Sequence, residues 1–406
     1  MRRDLARIER VQNALERDGL DALVCALPSN VLMLSGYWPV IGTSLVVVTR
    51  AGDILLLVPE DEMELAEQGW ADKVLTFSTG SLEEIQSLTP TVSERMAEVA
   101  RELEFDPETV LGYEDSDAVQ PVSYAGMHFY GSAIPAILEF AVPDLIPSPA
   151  SDLLAELRSI LTASEIKRLR IACRTAERAF VTGAHALRIE ATESEIASAF
   201  RAPLSAPPED ERIQRADGWT WCMSGPNSFE AYAAFQRSRW RHVTPGDFVL
   251  VHCNSFVDGF WTDITRTFCL GQPDSQKRDM YEAVFAARDA TLDAVRPGVE
   301  AAEVDHAARE VLTERGFGAD FKHPTGHGVG FAAIDHHALP RLHPASKDVL
   351  APGMVFNIEP GIYLEGMGGL RHCDMVLVTA TGREVLTPFQ SSLSELVYDV
   401  ALAVSR

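Results

Sequence analysis

Three short polar segments, far apart along the chain and each set in strand-like sequence, constrain its fold more than any other feature. They are Asp258-Gly-Phe-Trp-Thr-Asp263-Ile-Thr-Arg266, Thr325-Gly-His327-Gly-Val-Gly330, and Asn357-Ile-Glu359-Pro-Gly361 followed by Arg371-His-Cys-Asp374. An ionisable group beside an apolar run must find a cation or hydrogen-bond donors, because a buried unpaired charge costs several kcal/mol. The chain must therefore fold so that these segments meet. An Asp, a His and a Glu brought together from separate strands make a small divalent-metal or general acid/base centre suited to C–N hydrolysis.

The surrounding pattern shows how they could meet. Apolar positions Leu5, Ile8, Val11 and Leu15 predict a helix ending at Asp18-Gly19, and strand-like runs at 22–26, 43–49, 53–58 and 110–113 alternate with helical sequence at about 83–103. This α/β pattern lasts to about residue 150, where Pro143, Pro147 and Pro149 cluster, so domains of 1–150 and 151–406 are expected. Beyond the boundary, 153–187 reads as two long helices, 193–204 as another, and 206–211 as a loop. Strand-like runs follow at 219–224, 248–254, 262–270, 354–358 and 370–379, with helices at 275–295 and 301–316 between them. Strands grouped apart from helices indicate an α+β arrangement.

Composition then excludes some partners. A formal charge of −24 with only five lysines and no basic run argues against nucleic acid or an anionic membrane. No uncharged stretch reaches the ~20 residues needed to span a bilayer, and the N-terminus lacks a signal-peptide core. Six scattered cysteines without close pairs fit a reducing cytoplasm, not a disulfide framework.

Within the segments, a hairpin between 248–254 and 262–270 would set His252 and Asp263 side by side. Seven of the eleven histidines fall in or beside the segments, which favours His327 as ligand or catalyst over an ordinary loop histidine. For Glu359 the plain alternative is an ion pair with Arg371. Along 370–379, alternation puts Arg371 and Cys373 on one face and His372 and Asp374 on the other, and either face could line the site.

In this order the segments resemble the pita-bread hydrolases, the family of methionine aminopeptidase, aminopeptidase P, prolidase and creatinase. The resemblance implies a creatinase-type α/β N-terminal domain, a pita-bread catalytic domain and a cytoplasmic homodimer. Metallopeptidases of that family hold two ions with two Asp, one His and two Glu. Asp263, His327 and Glu359 match three of these ligands, while His252 stands where the first Asp belongs and Cys373 where the last Glu belongs. The match selects the Cys373 face as the inward one. It implies substrate contact for Tyr232 and catalytic roles for His337 or His336 and for Arg371.

Loss of two anionic ligands is expected to empty one metal position. The remaining set, Asp263, His327 and Glu359 with His252 or Cys373, suits one divalent transition metal such as zinc, iron or manganese, or none. The leading expectation is a single-metal hydrolase of the Xaa-Pro peptidase type acting on a short peptide or small amide. The alternatives are a metal-free, creatinase-like hydrolase of a small amidine or amide, a variant in which His252 activates Cys373 as nucleophile, and a non-catalytic binding protein.

Overall fold

The computed structural model of the chain describes residues 3–40, 42–79, 88–115, 133–206, 213–233 and 236–398. It divides into two compact units, Met1–Arg158 and Ser159–Arg406. The expected boundary near residue 150 coincides with the start of the helix Ser151–Ser159, and the division falls at that helix's end. Contacts within the first unit hold the helix there: Arg7 donates to the Leu157 carbonyl and Arg158 to Asn30 Oδ1 at 2.9 Å.

In the first unit, Asp4 caps the helix Leu5–Asp18 by accepting from the Arg7 amide, and Gly19 ends it in the left-handed conformation. A six-stranded mixed sheet follows, in the order Lys73–Phe77, Ile54–Pro59, Leu45–Thr49, Ala22–Cys25, Leu111–Tyr113, Ser148–Pro149. Val24, Val47, Leu57, Met96 and Ile137 fill its core. The helix expected over 83–103 is Leu88–Glu102, and the first residues of that expectation lie outside the described ones. The same holds for most of the loop expected over 206–211.

The second unit opens on the helix Ala163–Gly183, started by a reciprocal cap between Thr162 and Glu165. Its largest sheet has the order Val397–Tyr398, Phe260–Leu270, Phe248–Val257, Ala216–Ser224. The two central strands form a hairpin whose turn residues, Asp258 and Gly259, have φ of +48° and +84°. Two successive positive φ values give the tight turn whose twist matches paired strands. That turn sets Asn254 opposite Asp263 and His252 opposite Thr265. With a side-chain period of two, His252, Thr265 and Asp263 share one face.

A second, three-stranded sheet joins Val355–Ile358, Asp374–Val378 and Arg383–Val385, and Gly361–Leu364 pairs with Gly368–Arg371. The single strand expected over 370–379 is thus two strands broken at His372-Cys373. The break has a tertiary cause: the Cys373 amide donates to the Thr265 carbonyl at 3.0 Å, pulling the chain from one ladder toward the hairpin before it joins the next. Buried Arg266 secures this corner by donating to Cys373 O at 2.6 Å and Asp374 Oδ1 at 2.7 Å, while Arg288 donates to Asp374 Oδ2 at 2.6 Å. Burial opposes ionisation of Asp374, but Arg266, His372 and Arg288 outweigh it and hold the carboxyl far below its usual range.

Candidate active site

The loop carrying His327 lies flush against Val355–Ile358, with Asn357 N donating to His327 O at 3.1 Å and Glu359 N to Thr325 O at 2.8 Å. Gly326 permits this approach, since a Cβ there would sit 1.9 Å from the Asn357 carbonyl. A substitution at Gly326 would push His327 away from Glu359.

Three acceptor atoms converge as a result. His327 Nε2 lies 3.4 Å from Asp263 Oδ2 and 3.8 Å from Glu359 Oε1. His327 Nδ1 donates to its neighbour's carbonyl, Gly328 O, at 3.0 Å, which selects the tautomer presenting an Nε2 lone pair to the carboxylates. A lone pair facing two carboxylates is repulsive unless a cation, a metal ion or a proton, stands among them. The same field raises the His327 pKa: burial pushes it down, but the hydrogen bond and charge of Asp263, with Glu359, prevail. Burial raises Glu359 above its ordinary value despite the Arg371 charge. Burial also opposes ionisation of Asp263, yet the facing imidazoles and Arg371 bring its pKa below the usual value.

His252 and Cys373 complete the inner shell differently. His252 Nδ1 is 3.6 Å from Asp263 Oδ1 but accepts from Thr265 Oγ1 at 2.9 Å and from Arg371 Nη2 at 3.1 Å. Its lone pair is therefore engaged by donors. Burial drives its pKa down to about 4, so the ring is neutral, and it stacks on Trp221 with centroids 5.6 Å apart. Arg371 also faces Glu359 Oε2 at 3.6 Å and donates to Thr265 Oγ1 at 3.2 Å.

Cys373 Sγ donates to Asp263 O at 3.3 Å and lies 3.8 Å from Asp263 Oδ1. Asn357 Nδ2 sits 3.5 Å from that sulfur and 3.2 Å from His327 Nε2. Burial, with Asp263 and Glu359 nearby, raises the thiol pKa well above its ordinary value, which is the reverse of an activated nucleophile. All six cysteines are buried and free. A thiol-specific disulfide reagent is expected to find no fast-reacting cysteine in the native protein and all six after unfolding. Rapid labelling of Cys373 would reinstate the nucleophile alternative.

A cavity of about 620 Å³ opens onto this centre, lined by Tyr232, His323, His336, Arg341 and Lys347 among others. The His336 ring lies edge-on to His327 at 5.5 Å. His337 is exposed and is not in this lining, and its amide donates to Asp335. Tyr232 packs against Tyr363 with ring centroids 5.7 Å apart. Sequence reasoning passed over His323, whose Nε2 lies 2.8 Å from the Tyr363 hydroxyl and whose pKa falls to about 3, chiefly through burial. Its signal was its place four residues before His327. Asn357 was also passed over, and nothing in an apolar strand marks an amide as a holder of two site residues.

The fit to a metal can be tested on these atoms. Among the described residues no group of three His, Cys, Asp or Glu side chains is placed, as the structure stands, to hold a metal ion. Even so, separations of 3.4 and 3.8 Å are close to the ~3.4 Å between ligands of a tetrahedral shell with bonds of ~2.1 Å. Asp263, His327 and Glu359 are the side chains that would hold one ion. A second position is not supported, since His252 is engaged by Arg371 and Cys373 is a protonated donor.

A mixed-sheet N-terminal unit followed by a β-walled cavity with a carboxylate and imidazole centre defines the two-domain pita-bread hydrolases. Residues 167–380 match the metallopeptidase family M24, and residues 7–160 match the creatinase/prolidase N-terminal domain. The chain belongs to metallopeptidase family M24. It is 29% identical over 387 residues to a Xaa-Pro dipeptidase of Pyrococcus furiosus, covering 95% of this chain and 99% of that protein. It is 35% identical to a probable dipeptidase, PepE, of Mycobacterium tuberculosis over 239 residues, 59% of this chain and 61% of that one. The solved Xaa-Pro dipeptidase of Bacillus anthracis superposes with a TM-score of 0.77 at 25% identity, covering 97% and 99% of the two chains.

Proposed function

We propose that this protein is a Xaa-Pro peptidase-like hydrolase that uses a single divalent metal ion held by Asp263, His327 and Glu359. The observation that carries the reading is the convergence of three acceptor atoms on one point, in a tautomer fixed by the bond from His327 to Gly328. A bound ion would supply Lewis-acid polarisation of the scissile carbonyl and activation of water. The chain's own groups do the rest. Glu359 takes a proton from the attacking water and returns it to the leaving amine. His336 borders the cavity beside His327 and donates to the oxygen that gains charge. Arg371 keeps Glu359 and His252 in register, and Tyr232 packs against the substrate side chain.

A metal-independent reading has one observation in its favour: a proton on His327 would relieve the same repulsion, and its pKa is raised. The two readings separate in one experiment. Metal content measured by mass spectrometry on untagged protein is expected to be about one ion per chain. Chelation should abolish cleavage of an Xaa-Pro dipeptide, and re-addition of zinc, manganese or iron should restore it. Cleavage that survives complete removal of metal would overturn the metal reading.

The nature of the metal, a cytoplasmic location and a homodimeric state belong to the same proposal. Asp, His and Glu ligands with a sulfur nearby suit zinc or iron better than manganese. Scattered buried cysteines suit a reducing compartment, and no described helix is long and apolar enough to cross a membrane.

A further inference from the structure

Asn357 is a fully buried amide in an otherwise apolar strand, Val355–Ile358, and takes part in none of the steps proposed above. Phe356 and Ile358 on either side of it enter the core, so alternation turns Asn357 and Glu359 to the opposite face, the one that carries the centre. A buried amide must satisfy both its ends. Its two ends are told apart by chemistry: the His327 backbone N–H can only donate, so the atom 2.8 Å from it is Oδ1 and the other is the NH2 group.

The NH2 group lies 3.2 Å from His327 Nε2 and 3.5 Å from Cys373 Sγ. His327 Nδ1 carries the ring proton and donates it to Gly328 O, so Nε2 is an acceptor with one lone pair in the ring plane. One lone pair serves one partner. The amide hydrogen and a metal ion therefore exclude each other at Nε2. Turning the amide aside also takes Oδ1 from the His327 N–H, a buried donor whose loss of a partner is costly. The packing adds to this, since a Cβ on Gly326 would lie 2.9 Å from Oδ1.

We infer that Asn357 is a built-in competitor for the metal position: its amide satisfies His327 Nε2 when no ion is bound and must give that bond up when one binds. The inference rests on the single-metal reading above and adds the residue that sets how tightly the ion is held. Asn357 keeps His327 aimed at the carboxylates while weakening the hold on the ion, which makes the ion exchangeable. A residue that only orients His327 would act in the opposite direction, because losing an orienting group lowers metal affinity about 10- to 100-fold.

The test is calorimetric titration of zinc into chelator-treated wild type and Asn357→Ala, with circular dichroism as the check on folding. N357A is expected to bind zinc about 10-fold more tightly than wild type, the value of one hydrogen bond that no longer has to break. Binding by N357A alone also supports the inference. Equal or weaker binding by N357A overturns it and leaves the single-metal reading standing. If neither protein binds zinc, the single-metal reading fails and the inference with it. Should N357A not fold, crystal structures of wild type with and without zinc decide. Zinc on Nε2 with the Asn357 amide turned away supports the inference, whereas an amide still 3.2 Å from a zinc-bound Nε2, or no zinc on Nε2, removes it.

Discussion

Asp263→Ala is expected to reduce bound metal from about one ion per chain to background and to lower peptide hydrolysis by at least ~10³-fold. Asp263 is almost fully buried on a hairpin strand, and its carboxylate faces His327, His252 and Cys373 together. Removal leaves His327 Nε2 with only Glu359, 3.8 Å away, as an anionic neighbour. Groups that merely orient metal ligands typically contribute 10- to 100-fold in metal affinity or activity, so a direct ligand that also fixes the neutralising charge should contribute more. Circular dichroism and a thermal melt separate loss of the ion from loss of the fold. An alanine variant that is folded and still retains one ion per chain would sink the proposed ligand set.

The parts of this site that were legible in the sequence are those set by local geometry. Asp258-Gly259 specifies a tight turn, the turn specifies register, and a period of two puts His252, Thr265 and Asp263 on one face. Alternation past residue 370 separates Cys373 from Asp374 but leaves open which faces the site; the family resemblance selected Cys373, which lies 3.8 Å from Asp263 Oδ1, while Asp374 meets Arg266 and Arg288. What was not legible depends on contacts between distant segments. The break at His372-Cys373 exists because the Cys373 amide reaches Thr265, and no local propensity encodes that bond. Counting positions from a motif pointed to His337, but the way the 331–340 segment folds back, with Asp335 pairing to Gly328, brings the His336 ring to His327. The pairing of His323 with Tyr363 joins residues on two elements whose apposition only the fold creates.

A second large effect is expected in the opposite direction. The double variant His252→Asp with Cys373→Glu should bind about two metal ions per chain in place of one. The argument is electrostatic. In the native centre Asp263 and Glu359 contribute two negative charges and Arg371 one positive charge, so a single divalent ion leaves a net charge of about +1 on simple charge counting. A second ion in the same buried space would raise this to about +3, which a low-dielectric site with no further anion opposes strongly. Two added carboxylates bring the total with two ions back to about +1. They also replace an imidazole engaged by Arg371 and Thr265, and a thiol that donates to Asp263, with oxygen ligands that harder ions prefer. Without metal the variant holds four clustered carboxylates against one guanidinium, so its melting temperature should fall below that of wild type. Added manganese should then raise it in proportion to binding. Stoichiometry by mass spectrometry and the melt with and without manganese are the measurements. A folded variant that still takes up one ion would mean that something other than His252 and Cys373 closes the second position, with Arg371 the next residue to change.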